Sequence, residues 1–217
     1  MLTKMVNHYN KVNEDTVGYL YVPNTTINDV VVQGADNDFY LRRNSAGKNS
    51  FDGSYYVDYR GVVGSREKLS PNTVIYGHSM EDDPNGKYFS QLKKLEDLNY
   101  AKNNQFIYFS TPQSEMVWQI FAVFYTDTSF DYINPTPTNS QYLTLINEAR
   151  ARSVHNYGID VTTKDKILTL STCTYKFSET YPNPYRYVVM AKLVDKNAPM
   201  TNTTVEKNPS AKMPTKK

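Results

Sequence analysis

The sequence predicts a mainly β domain: a barrel or sandwich of about eight short strands, with a few peripheral helices. Two observations carry this. Nineteen of the 217 residues are tyrosine, a residue suited to half-buried, pleated surfaces with one wet edge. The β-branched and aromatic residues also gather in short runs bounded by Gly, Pro, Asn and Asp, as strands separated by turns do.

In chain order, the runs are residues 17–22 (VGYLYV, ended by Pro23), 30–33, 54–58 (SYYVD, after Asp52-Gly53) and 73–76 (TVIY, between Pro71-Asn72 and Gly77). They continue with 105–109, 115–125 (EMVWQIFAVFY, the longest), 166–171 (KILTLS) and 186–194 (RYVVMAKLV). Two segments read as helices. Residues 87–98 put Phe89, Leu92, Leu95 and Leu98 on one stripe behind Asp83-Pro84, and 140–152 group Leu143, Ile146 and Ala149 behind Asn139 or Ser140 as cap. A shorter helix is expected within residues 1–11. From residue 197 onward the chain is rich in Pro, Thr, Asn, Ser and Lys and poor in large apolar residues, which predicts a solvated tail. The expected organisation is an N-terminal helical or linker segment (1–16), one domain (17–194) and a flexible polar tail (195–217).

Hydrophobic residues are 39% and charged residues 21% of the chain, in keeping with one folded core. The net charge of +2 is small and the cations are scattered, which argues against a nucleic-acid partner. The single cysteine, Cys173, excludes an internal disulfide and a multi-thiolate zinc site. Histidines and carboxylates show no ligand spacing, so neither metal nor cofactor is expected. No run of 18 apolar residues spans a membrane, and residues 1–17 lack an apolar signal core.

A lone cysteine is usually a small buried apolar residue. Cys173, however, follows the run ending at Ser171, at the rim of a sheet, where a side chain is both held and accessible. His78 follows the strand at 73–76 through Gly77, also at a strand end; a glycine there lets the chain turn sharply. His8 and His155 lie in less structured contexts. Arg186 is the only arginine after Cys173 and opens the last strand; its guanidinium would offer a fork of donors to a developing oxyanion. The plain alternatives are a surface histidine and an arginine solvating a sheet edge. Spacing alone does not unite the three; that requires three strands side by side with these ends together.

The assembled segments resemble the sortase family. T-L-S-T-C at 169–173 is similar to the sortase cysteine signature, Y-G-H-S at 76–79 to its histidine motif, and R-Y-V-V-M-A-K-L from Arg186 to the strand carrying its arginine. V-V-Q-G-A-D-N at 31–37, Tyr40-Leu41, Asp58-Tyr59-Arg60 and the long insert between Tyr125 and Lys166 resemble class B. The resemblance implies an eight-stranded barrel with a helix in the insert between two barrel strands. It implies a cysteine transpeptidase that cleaves a Pro-x-Thr-(Asn/Gly) sorting signal after Thr through a thioester. Its partners would be secreted proteins bearing a C-terminal signal, and an amine of the lipid-linked peptidoglycan precursor or a pilin lysine. The family roles fall on Cys173, His78 and Arg186, with Asn37, Leu41, Ser171, Thr128 and Ile133 lining the substrate groove. It also implies work at the outer membrane face of a Gram-positive bacterium, held by an N-terminal anchor that this sequence does not include.

Three departures stand out, the first being that the N-terminal helices typical of class B read as short or missing. Thr174 occupies the position after the cysteine where many class B enzymes carry an acid, and Pro182 and Pro184 lengthen the loop to Arg186. Pro199-Met200-Thr201-Asn202 is similar to a class B sorting signal; it is either a coincidence of a Thr/Asn-rich tail or a pseudo-substrate. The rival functional readings are a plain cysteine hydrolase using the same pair and a β-barrel peptide-binding module with a structural cysteine.

Overall fold

The structure, a computed structural model, describes residues 2–178 and 182–215; part of the proline-bearing loop before Arg186 falls outside these. Eight strands close a barrel in the order β1 (Thr16–Tyr21), β2 (Asn28–Val32), β3 (Tyr55–Val57), β4 (Asn72–Tyr76), β8 (Ile167–Cys173), β9 (Tyr185–Leu193), β6 (Val117–Asp127) and β5 (Phe106–Ser110). All eight expected strands are present, and among the described residues closure leaves the barrel without an edge strand. Alternate residues point inward, so Leu20, Ile75, Trp118, Leu170 and Val189 fill one buried core. Trp118 is fully buried and donates its Nε1–H to the Phe109 carbonyl at 3.1 Å, so its polar edge carries no unmet hydrogen bond.

Helix α1 (Leu2–Asn10) packs Val6 against Tyr19 and Val30. The segment expected as an α-helix over 87–98 is a 3-10 helix at Phe89–Glu96, followed by α2 (Leu98–Asn103), which Asp97 caps through the Tyr100 amide at 2.7 Å. Phe89, Leu92 and Leu95 recur every third residue and are all buried; that spacing eclipses on a 3-10 helix and drifts on an α-helix. Helix α3 (Asn139–Arg152) forms as expected, but Thr138 is its cap, in a reciprocal capping box with Gln141. The buried face is Tyr142, Leu145, Ile146 and Ala149, against Phe124, Val188 and Met190 on the outside of the barrel. Leu143, expected on that face, is 51% exposed.

Composition predicts a solvated tail from residue 197. In the structure that segment lies along the barrel. Gln105 Oε1 accepts from the Thr203 amide at 2.9 Å, β10 (Glu206–Lys207) pairs with β7 (His155–Asn156), and Tyr185 Oη donates to the Thr215 carbonyl at 2.8 Å. Val205 is 1% exposed and joins the main core. One buried side chain and a row of backbone hydrogen bonds replace the apolar run that composition would require. Deleting residues 195–217 is therefore expected to cost at least the burial of Val205, about 1.5–3 kcal/mol, read as a lower midpoint in chemical denaturation. Residues 199–202 sit on the β5–β6 side, where Gln119 Nε2 donates to the Thr201 carbonyl at 3.0 Å.

Candidate active site

Strand β4 runs parallel to β8, with Tyr76 level with Ser171. Two residues further along each chain stand His78 and Cys173, so the parallel register brings the two motif residues to the same rim. Thr172 Oγ1 donates to the Gly77 carbonyl at 2.7 Å, and the Gly77 amide to the Ser171 carbonyl at 3.3 Å; these bonds carry the pairing past the end of the strand. On the other side β8 runs antiparallel to β9, and Cys173 faces Arg186 directly. The cysteine is thus the last residue of its strand, flanked by histidine on one neighbour and arginine on the other. Gly77 is needed for space rather than for an unusual turn. A Cβ there would lie 2.8 Å from ring atoms of both Phe89 and Tyr55.

His78 Nε2 lies 2.9 Å from the Leu41 carbonyl oxygen. A carbonyl only accepts, so Nε2 carries a proton and Nδ1 is the nitrogen free to exchange one. Leu41 sits in a 3-10 helix, Phe39–Arg42, whose buried Tyr40 donates its hydroxyl to Asp15 at 2.7 Å and accepts from Asn13 at 2.7 Å. Gly53 closes over this contact at φ +62°. A side chain there would be strained, and its Cβ would stand 2.6 Å from the Leu41 oxygen. The Arg186 guanidinium is steered by its own loop: Nη1 donates to the carbonyls of Asn183 at 2.7 Å and Tyr185 at 2.9 Å.

These side chains share one cleft of about 290 Å³, lined by Cys173, His78, Arg186, Asn37, Leu41 and Ser171. Cys173 is partly exposed within it. The cleft wall rests on Asp58, which is 0% exposed. Asp58 takes hydrogen bonds from Arg60 Nε at 2.8 Å, Arg60 Nη2 at 2.8 Å, Tyr76 Oη at 2.8 Å and Asn37 Nδ2 at 3.1 Å. Burial pushes this carboxyl up, but the donors together outweigh it and hold it below the usual carboxylate range. A folded-state value below the unfolded one stabilises at neutral pH, and that contribution is lost as pH falls through the folded value. Asp58→Asn is expected to cost about 2–3 kcal/mol at neutral pH. Melting across acid pH should show wild type and variant converging as pH drops below the ordinary carboxylate range.

The family model of the sortase domain matches residues 20–194. The chain belongs to the sortase family. It is 34% identical over 187 residues to sortase B of Listeria monocytogenes, covering 86% of this chain and 72% of that protein. It is 32% identical over 185 residues to sortase B of Staphylococcus aureus, covering 85% and 72%. A solved Staphylococcus aureus sortase B–substrate complex superposes with a TM-score of 0.78 at 29% identity, covering 89% of this chain and 86% of that one. The class is therefore B, and the family is one of cysteine transpeptidases that act at the Gram-positive cell surface. Among the described residues no helix is long and apolar enough to cross a membrane.

Within this class B sortase frame, the structure brings Asn37, Leu41 and Ser171 to the cleft and holds Thr128 and Ile133 apart from its lining. Thr128 is exposed in the turn after β6, and Ile133 packs with the α3 cluster while its carbonyl accepts from Arg60 Nη2 at 3.1 Å. The Asn37 amide is engaged at both ends, since its Oδ1 also accepts from the Tyr59 amide at 3.1 Å. Tyr132 is a contributor that the sequence does not single out. It is 4% exposed, its hydroxyl lies 2.8 Å from Ser171 Oγ, and burial pushes its pKa up to about 12. Only its position next to Ile133 in the insert pointed toward it. His155 is structural: it is buried, with Nε2 3.0 Å from the Leu95 carbonyl, and burial pulls its pKa down.

Proposed function

We propose that the protein is a class B transpeptidase that cleaves a Pro-x-Thr-(Asn/Gly) sorting signal after its threonine and joins the new carboxyl end to an amine of the cell-wall peptidoglycan precursor. The observation that carries this reading is the register: Cys173 opposite Arg186, and His78 level with Cys173, at one end of a closed barrel. The Cys173 thiolate attacks the threonine carbonyl carbon. The oxyanion that forms is met by the Arg186 guanidinium, whose charge is permanent and whose donors form a rigid fork. As the amide bond breaks, the leaving nitrogen takes a proton from His78 Nδ1. The product is a thioester on Cys173 and a free C-terminal fragment. An incoming amine then attacks the thioester carbonyl, gives a proton back to His78 and expels the thiolate, so one amide replaces another with no net change in redox state. Leu41 and the tyrosines of the cleft shield the thioester from water.

The test is to incubate the protein with Pro-x-Thr-Asn and Pro-x-Thr-Gly peptides, with and without an amine acceptor, and to identify products by mass spectrometry. Cleavage after Thr, with an amine adduct replacing the free acid when acceptor is present, is expected. Cysteine-dependent cleavage that yields only the free acid at every acceptor concentration would make the protein a hydrolase instead.

A further inference from the structure

The segment after His78 is unusual backbone. Glu81 and Asp82 are consecutive non-glycine residues in the left-handed region, at φ +72° and +47°. Such conformations persist where surrounding contacts hold them, and here the contacts converge on one carboxylate. Asp82 Oδ2 accepts from the Tyr175 amide at 2.7 Å and the Thr174 hydroxyl at 3.2 Å, both just beyond Cys173. Its Oδ1 pairs with Lys93 on the 3-10 helix Phe89–Glu96 and accepts from Ser79 Oγ at 3.2 Å. Lys93 Nζ also donates to Ser79 Oγ at 2.8 Å, next to His78. The Lys93 side chain is 4% exposed and that of Asp82 18%. Burial pulls the Lys93 pKa down, while Asp82, Glu96 and Cys173 act in the opposite sense. Three separate segments thus meet at one shielded ion pair: the turn after the histidine, the turn after the cysteine, and the 3-10 helix beneath them. Thr174, which departs from the acid found there in many class B enzymes, donates to an acid that comes from the histidine side.

We propose that Asp82 is a positioning residue for the transfer reaction, with Lys93 as its buried counter-ion: it clamps the turn after Cys173 to the turn after His78 and so fixes the separation of the two reacting side chains. This rests on the reading of Cys173 and His78 as the reacting pair. Misplacing a reacting group by about 1 Å costs on the order of 100-fold, whereas peptide binding along Asn37 and Leu41 does not involve the clamp. Removing Asp82 alone would strand a buried ammonium and threaten the fold, so the test is made in the Lys93→Met background. There Asp82→Asn keeps an oxygen to accept from Tyr175 and Thr174, and Asp82→Ala removes it. Relative to Lys93→Met alone, Asp82→Ala is expected to lower kcat for the sorting peptide by about 10- to 100-fold with KM within about twofold, and Asp82→Asn is expected to restore most of it. Equal kcat for the Ala and Asn variants, or a loss that follows the fraction folded in parallel melts, would overturn the proposal. Cys173→Ala is measured alongside: if it retains turnover, the reading of the reacting pair fails, which is a separate outcome from failure of the clamp.

Discussion

Cys173→Ala is expected to reduce cleavage of a sorting peptide to the rate without enzyme, while leaving the barrel intact. The cysteine terminates β8 at a partly exposed rim position, so losing its sulfur should change stability by less than about 1 kcal/mol. Thiolate chemistry, in contrast, has no substitute at that position: the neighbouring Thr172 is buried and its hydroxyl is committed to the Gly77 carbonyl at 2.7 Å. Peptide binding, followed by fluorescence anisotropy, should survive the substitution. A peptide-binding module with a structural cysteine would also bind normally, but its wild-type protein would never turn the peptide over. The pair of measurements separates the two.

Arg186→Lys is expected to lower kcat by about 100- to 1,000-fold with little change in melting temperature. Lysine keeps the charge at the start of β9, and the Cys173–Arg186 backbone pairing persists. The ammonium cannot reproduce the guanidinium arrangement, in which Nη1 is anchored on the Asn183 and Tyr185 carbonyls and the planar group is thereby aimed toward the cleft. Steady-state kinetics on one peptide would show the loss in kcat rather than in KM, as expected for an interaction made chiefly in the transition state. Full activity in Arg186→Lys would remove the residue from the mechanism.

The strands were legible because each is a short run of β-branched and aromatic residues closed by turn residues, and Cys173, His78 and Arg186 each stand at an end of one. Their meeting was not legible from spacing. It depends on a parallel pairing of β4 with β8, whose partners lie about a hundred positions apart in sequence, between Tyr76 and Ser171, and no local pattern encodes such a pairing. The resemblance to sortases supplied what periodicity could not. The 3-10 helix is not legible as such, because a stripe repeating every third residue also fits one face of an α-helix over a few turns. Leu143 lies off the buried face because Tyr142, an amphipathic side chain whose hydroxyl reaches the Pro71 and Asp165 carbonyls, takes the buried position beside it. The contacts of the tail are not legible in composition, which weighs apolar residues and is blind to the hydrogen bonds made by the Thr203 and Asn208 amides. The hydrogen-bond networks of the buried Asp58 and the half-buried Asp82 are not legible in the sequence, because each reads there like any other acid; only the donors around it set it apart.

In the proposed mechanism, turnover passes through a thioester on Cys173. The most direct measurement is the intact mass of the protein quenched in acid during turnover of a Pro-x-Thr peptide without an amine acceptor. A mass increase equal to the peptide up to its threonine is expected, located on Cys173, discharged by hydroxylamine and absent in Cys173→Ala. Turnover with no adduct under conditions that trap a thioester, or an adduct that persists in Cys173→Ala, would contradict it.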